Sequence, residues 1–237
     1  MQATIERPSF TPYPLAHGLL CDLRDDGYPT QLWGLSEQPL TLPAGATHFG
    51  YVYDGTLMVE HAAGTFTLGA GMYFSAPGET TVRGNGRGIA ASRLDYDGFF
   101  QIGGPVEERG RLKYIDGCTD SLLIPPVMMG DACFNLLYFP PGVDQTQHTH
   151  PSMRVGMVIR GRGECITPKG SIPLTPGRVF IIHAEGPHGF RTTDSEMAVV
   201  AYHPDSDFGP THETHPMINR TIVGGVSASQ IADIRTK

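Results

Sequence analysis

Short apolar runs of about five to seven residues alternate with turns bearing Gly and Pro along almost the whole chain. Phe49–Tyr53, Thr56–Glu60, Gly71–Ser75, Val155–Arg160 and Arg178–His183 all read as strands. Phe134–Phe139 reads as a buried strand running into Pro140-Pro141-Gly142. Short strands at this spacing predict an all-β sandwich or barrel. Only the tail SASQIADIRTK breaks the pattern, predicting a short C-terminal helix with Ser227 or Ser229 as its N-cap.

The pattern repeats. GYVYDGTLMVEHAAGTFTLGAGMYFSAPGETTV, from Gly50, aligns without a gap on GMVIRGRGECITPKGSIPLTPGRVFIIHAEGPH, from Gly156, at an offset of 156 − 50 = 106. Gly50, Gly55, Gly64 and Gly71 fall on Gly156, Gly161, Gly170 and Gly177. Leu68 falls on Leu174, Phe74 on Phe180 and Pro77 on His183. Matched glycines imply matched turns, so the chain carries two copies of one β-unit. The polar, turn-rich stretch GGPVEERG (103–110) suggests a boundary, giving units 1–106 and 107–237.

Composition narrows the function classes. A length of 237 residues with 40% hydrophobic and 17% charged residues is that of a globular chain with a real core. The formal net charge of −7 and the lack of a basic stripe argue against nucleic-acid binding. No apolar run approaches a membrane span, and residues 1–14 show no signal-peptide pattern. Cys21, Cys118, Cys133 and Cys165 lie far apart without CxxC spacing. That pattern favours free thiols in a reducing cytoplasm over disulfides or a zinc knot.

The candidate chemistry lies between Gly142 and Thr192. His148 and His150, two residues apart, would point to one face of a strand, and His188 can return beside them after the run VFII. Three neutral imidazoles would hold one transition metal and leave coordination positions open. On spacing alone, HTH reads equally as a solvent-facing pair in a loop.

The longer spacing carries a resemblance. Gly142, His148, His150, Arg154 and Gly161 are spaced like the first motif of the cupin superfamily, with Arg154 where a Glu ligand normally stands. Gly177, His183, Glu185 and His188 are spaced like the second motif, where Pro, Gly and Asn are usual at the positions of His183, Glu185 and Thr192. The resemblance implies two tandem jelly-roll barrels, a bicupin, with one metal inside the second; many such proteins are homodimers. At the repeat offset Leu42, Ala44 and Val82 take the ligand positions of the first copy, which is therefore expected to be degenerate. His48 stands there at the Arg154 position and reads as a structural histidine.

Two departures bear on the chemistry. Arg154 cannot ligate a metal, but facing inward it would anchor an anionic substrate group through a forked pair of hydrogen bonds. Turned outward, it would leave Val155 to line the site. His183 reads as a fourth ligand, an acid/base group or a satisfied strand-end histidine, and Glu185 as a group that orients a ligand histidine or meets substrate. A second cluster, His203, Asp205, Asp207, His212, Glu213 and His215, reads as a solvated loop or lid before it reads as a second metal site.

Three-histidine cupins include iron(II) dioxygenases, and the leading expectation is such an enzyme, using O2 on a small carboxylate- or enol-bearing substrate. Fe(II) heads the metals, with Zn, Ni, Mn and Cu as alternatives. A non-redox isomerase, decarboxylase or lyase and a non-catalytic binding bicupin are the competing readings.

Overall fold

A computed structural model describes residues 8–206 and 220–234. The first half contributes β1 (Phe10–Tyr13), β2 (Gly18–Leu23), β3 (Thr30–Leu35), β4 (Leu40–Leu42), β5 (Ala46–Asp54), β6 (Thr56–His61), β7 (Gly64–Gly69), β8 (Tyr73–Pro77), β9 (Thr80–Gly84), β10 (Arg87–Leu94) and β11 (Gln101–Gly103). The second contributes β12 (Leu112–Lys113), β13 (Thr119–Ile124), β14 (Cys133–Phe139), β15 (Arg154–Gly161), β16 (Gly163–Thr167), β17 (Gly170–Leu174), β18 (Val179–Ile182), β19 (Gly189–Arg191) and β20 (Met197–His203), with a terminal ribbon of β21 (Ile222–Val223) and β22 (Val226–Ser227).

Each half is a two-sheet barrel. In the first, the six-stranded sheet β11-β8-β5-β10-β3-β2 faces the four-stranded sheet β4-β9-β6-β7 over a core that includes Leu42, Leu57, Leu68, Phe74 and Val82. In the second, the seven-stranded sheet β1-β18-β15-β20-β14-β13-β12 faces the sheet β17-β16-β19 over Phe139, Val158, Leu174, Phe180 and Phe190. The two large sheets also share a core, in which Phe49, Tyr51 and Ile89 meet Phe134, Val155 and Tyr202. Alternation makes this possible: in β15, Val155 and Met157 enter the shared core while Val158 enters the second barrel's own. The first strand crosses over, since β1 pairs with β18 and closes the edge of the second barrel's sheet.

The duplication is visible residue by residue. Gly50 opposes Phe74 in β5–β8, and Gly156 opposes Phe180 in β15–β18. A Cβ on Gly50 would lie 2.2 Å from the Phe74 ring, and one on Gly156 would lie 2.1 Å from the Phe180 ring. Both positions need glycine because an aromatic ring lies flat across the strand. Gly71 and Gly177 take φ of 84° and 83°, and each donates its N–H across a matched turn, to Val52 and Val158.

The offset changes after β8 and β18. Val59 opposes Val82, whereas its equivalent, Cys165, opposes Phe190, so from there on the offset is 190 − 82 = 108. The turn between Pro77 and Thr80 is two residues shorter than the one between His183 and His188. The first-copy equivalent of His188 is therefore Thr80, not Val82. Leu42 pairs with Thr80 as His148 pairs with His188.

The tail forms no α-helix among the described residues. It forms two 3-10 turns, Ala228–Gln230 and Ala232–Ile234, with the Ser227 hydroxyl accepting from the Ser229 N–H. A helix this short does not repay its nucleation cost without an apolar face to bury, and Ile234 is 53% exposed. All four cysteines are free, three of them buried. No helix of the described residues is long and apolar enough to cross a membrane.

Candidate metal centre

His148 and His150 lie not in a strand but in the extended segment after β14, tied to β19 by isolated bridges. His148 N–H donates to His188 O at 2.8 Å and His188 N–H to His148 O at 3.0 Å. Gln145 N–H donates to Phe190 O at 2.9 Å. Thr192, at the position where the motif usually has Asn, pins the start of the segment. Its hydroxyl accepts from Val143 N–H and donates to Pro140 O. Glu185 takes φ of 57°, a backbone conformation that explains the usual Gly there, and its N–H donates to His150 O.

This backbone brings the three imidazoles together. Ring centroids are 4.5 Å apart for His148–His188, 5.0 Å for His148–His150 and 5.1 Å for His150–His188. One ring nitrogen from each lies within 4.8 Å of the other two, and among the described residues this is the His, Cys, Asp and Glu group able to hold a metal ion. Backbone carbonyls orient two of the rings. The His148 Nδ1–H donates to Thr146 O at 2.8 Å, and the His188 Nδ1–H to Gly186 O at 2.9 Å. Each Nε2 is thereby left as a lone-pair donor. His188 Nε2 is buried and has no protein partner, which is what an imidazole awaiting a metal presents.

Burial keeps two of the rings neutral. Burial first, then Arg154 and the neighbouring histidines, push His150 down to about 3. Burial likewise carries His188 down to about 4, outweighing its bond to Gly186. Neutral imidazoles are the metal-binding form, so the donor set fits a divalent transition metal.

The triad opens on a narrow cavity of about 40 Å3 inside the second barrel, room for a few water-sized groups. Phe139, Phe180, Ile182, Phe190 and Val199 make its apolar wall. Its polar wall is Tyr114, Asp120, Gln145, Arg154 and His203. Arg154 shares strand parity with Val158, has a side chain only 11% exposed, and pairs through Nη1 with Asp205 at 3.1 Å. Ser152 Oγ bonds both Asp205 and Arg154 Nη1. Burial pushes the Asp120 carboxyl up, and Asn135 Nδ2 donates to both its oxygens, at 2.9 and 3.1 Å. His203, half-buried, is driven well below its ordinary value by burial, Arg154 and His150.

Other sequence candidates lie elsewhere. His183 does not line the cavity: its Nε2 bonds Thr11 Oγ1 at 2.9 Å, where β1 adds to β18. The Glu185 carboxylate is exposed and accepts from Thr149 Oγ1 at 3.3 Å rather than from a ligand histidine. Asp207, His212, Glu213 and His215 lie outside the described residues. Asp120, Tyr114, Gln145 and His203 went unassigned to this site by sequence reasoning, because their approach to the triad depends on sheet pairing. For His203 one signal existed, since it ends an apolar run, MAVVAY, that returns through the barrel.

Known proteins share this fold. Residues 135–203 match the family model described as a cupin domain. No curated protein sequence matches the chain. Among solved structures, a putative glyoxylate induced protein from Pseudomonas aeruginosa is 15% identical with a TM-score of 0.60, covering 86% of this chain and 83% of that one. Protein Ylba from E. coli is 17% identical, TM-score 0.58, covering 89% and 96%. A salicylate 1,2-dioxygenase from Pseudaminobacter salicylatoxidans is 10% identical, TM-score 0.59, covering 79% and 76%. Residues 135–203, which carry the histidine triad, match the cupin domain, and the chain as a whole has the cupin fold.

Proposed function

We propose that His148, His150 and His188 hold one divalent metal, iron(II), and that the protein is a dioxygenase for a small carboxylate- or enol-bearing substrate. The observation that carries this reading is the buried, unpartnered His188 Nε2, aligned by Gly186 O and grouped with two more imidazoles. When bound, a metal on three histidines offers open positions both to an oxygen-donor substrate and to O2. The protein's own residues do the rest. The triad lacks a carboxylate ligand and would leave a metal's charge uncompensated, so an anionic substrate balances the site. The aromatic and aliphatic wall excludes water, which strengthens those charge interactions. Asp120, raised by burial and fixed by Asn135, is placed to hold or take a proton from a substrate hydroxyl. The likeness in fold to salicylate 1,2-dioxygenase, one structure of which is a complex with gentisate, supports the substrate class.

A second reading, metal-assisted proton transfer without O2, draws on that same buried Asp120. Oxygen dependence separates the two. Iron-loaded protein is mixed with acetylacetone, pyruvate and gentisate in an oxygen electrode. The dioxygenase reading expects uptake with one of them that His148→Ala abolishes. Turnover that proceeds without O2, and equally with Zn or Mn, overturns it.

A further inference from the structure

Gln145 is a buried polar side chain of the cavity wall. It is 6% exposed and lies in the extended segment three residues before His148. Its backbone N–H donates to Phe190 O at 2.9 Å, and its Oε1 accepts from Phe190 N–H at 3.2 Å. The second of these bonds fixes the amide orientation, because only the carbonyl end can accept from an N–H. The Nε2 end is therefore a pair of N–H donors, buried, without a protein acceptor, in the wall that also holds His148, His150 and His188. A second orphan donor shares that wall. Arg154 Nε is buried and unpartnered, while the Nη1 of the same guanidinium is occupied by Asp205, Ser152 and Met153 O. Leaving buried donors unpaired is costly, so a site with two of them is completed by a ligand that brings the acceptors.

Resting on the metal-dependent reading above, we propose that Gln145 is a substrate-binding and specificity-determining residue. Its Nε2 donates to one oxygen of a compact anion, whose other oxygen acceptor takes the Arg154 Nε–H. The selected class is a small carboxylate, short dicarboxylates included, whose two oxygens take one donor each. A neutral alcohol brings one oxygen and no charge and is disfavoured, since a site built on paired donors discriminates strongly against a ligand lacking one acceptor.

Gln145→Glu is the informative substitution. It keeps the shape and the acceptor for Phe190 N–H, but replaces the inward donors with an acceptor oxygen. Metal content and calorimetric affinity for oxalate are measured on iron-loaded wild type and variant, with Gln145→Leu as a second form and 1-butanol as the one-oxygen control. The inference expects unchanged metal per chain, oxalate preferred to 1-butanol by wild type, and oxalate binding at least tenfold weaker in both variants. Equal oxalate affinity in wild type and Gln145→Glu overturns it, as does metal-loaded wild type that binds oxalate no better than 1-butanol. Wild type that takes up no metal on the triad overturns the underlying reading instead.

Discussion

Thr80 and His188 stand at the same point of the duplicated fold, and each side chain donates to the carbonyl two residues before it. Thr80 Oγ1 bonds Gly78 O at 3.1 Å, and His188 Nδ1 bonds Gly186 O at 2.9 Å. The hydroxyl uses its only hydrogen there, whereas the imidazole retains a lone pair on the far side of the ring. Across from them, Leu42 pairs with Thr80 as His148 pairs with His188. One barrel therefore closes on a hydrocarbon core and the other on a cluster of nitrogen donors. Thr80→His is expected to leave metal content unchanged, because Leu42 and Ala44 supply no companion ligands. Metal analysis of the variant checks this, and a gain of a second equivalent would count against it.

The ring-over-glycine contact is expected to be costly to disturb in both halves. Gly156→Ala and Gly50→Ala put a methyl about 2 Å from the Phe180 and Phe74 rings, and each should destabilise by about 1–3 kcal/mol. Gly27→Ala, where no atom lies within 4 Å, should stay within about 0.5 kcal/mol of wild type. Urea denaturation of the three variants gives the comparison.

His48 supplies a pH signature separate from the triad. It is fully buried, its Nε2–H donates to Gly78 O and its Nδ1 accepts from Ser92 Oγ. Burial lowers it from 6.5 to about 4. The unfolded chain therefore takes the proton first. The stability His48 confers is complete above about pH 6.5 and is lost as pH falls toward 4, by about 3 kcal/mol. The stability gap between wild type and His48→Gln should narrow by that amount between pH 7 and 4. A constant gap would show that His48 does not titrate across this window.

Arg154 is expected to act on substrate and not on metal. Arg154→Leu should keep the full metal content and raise the KM for an anionic substrate roughly 10- to 100-fold. Arg154→Lys should recover only part of that loss, because a point charge does not reproduce the fork. Loss of metal in Arg154→Leu would assign the residue to the ligand scaffold instead.

Much of this was legible in the sequence, and the failures share a cause. Strand positions and the duplication follow from local patterning and matched glycines, which need no knowledge of partners. The three histidines were found because motif spacing is preserved along the chain. The Val82 assignment failed because a two-residue difference between turns shifts the register, and a gap-free alignment cannot register that. Of the readings open to His183, only the strand-end histidine fits its surroundings, because β1, from the opposite end of the chain, comes back to pair beside it through a bond with Thr11. Asp120 and Gln145 carry no signal of their own. Sheet pairing alone brings them to the cavity, and Gln145 becomes chemically specific only through its bond with Phe190.

Elemental analysis of wild type and His188→Ala, purified and then loaded with iron(II), bears most directly on a single three-histidine centre in the second barrel. The account predicts one equivalent of metal per chain in wild type and loss of that equivalent in the variant, with the fold intact by circular dichroism. Two equivalents in wild type, or one that survives in His188→Ala, would contradict it.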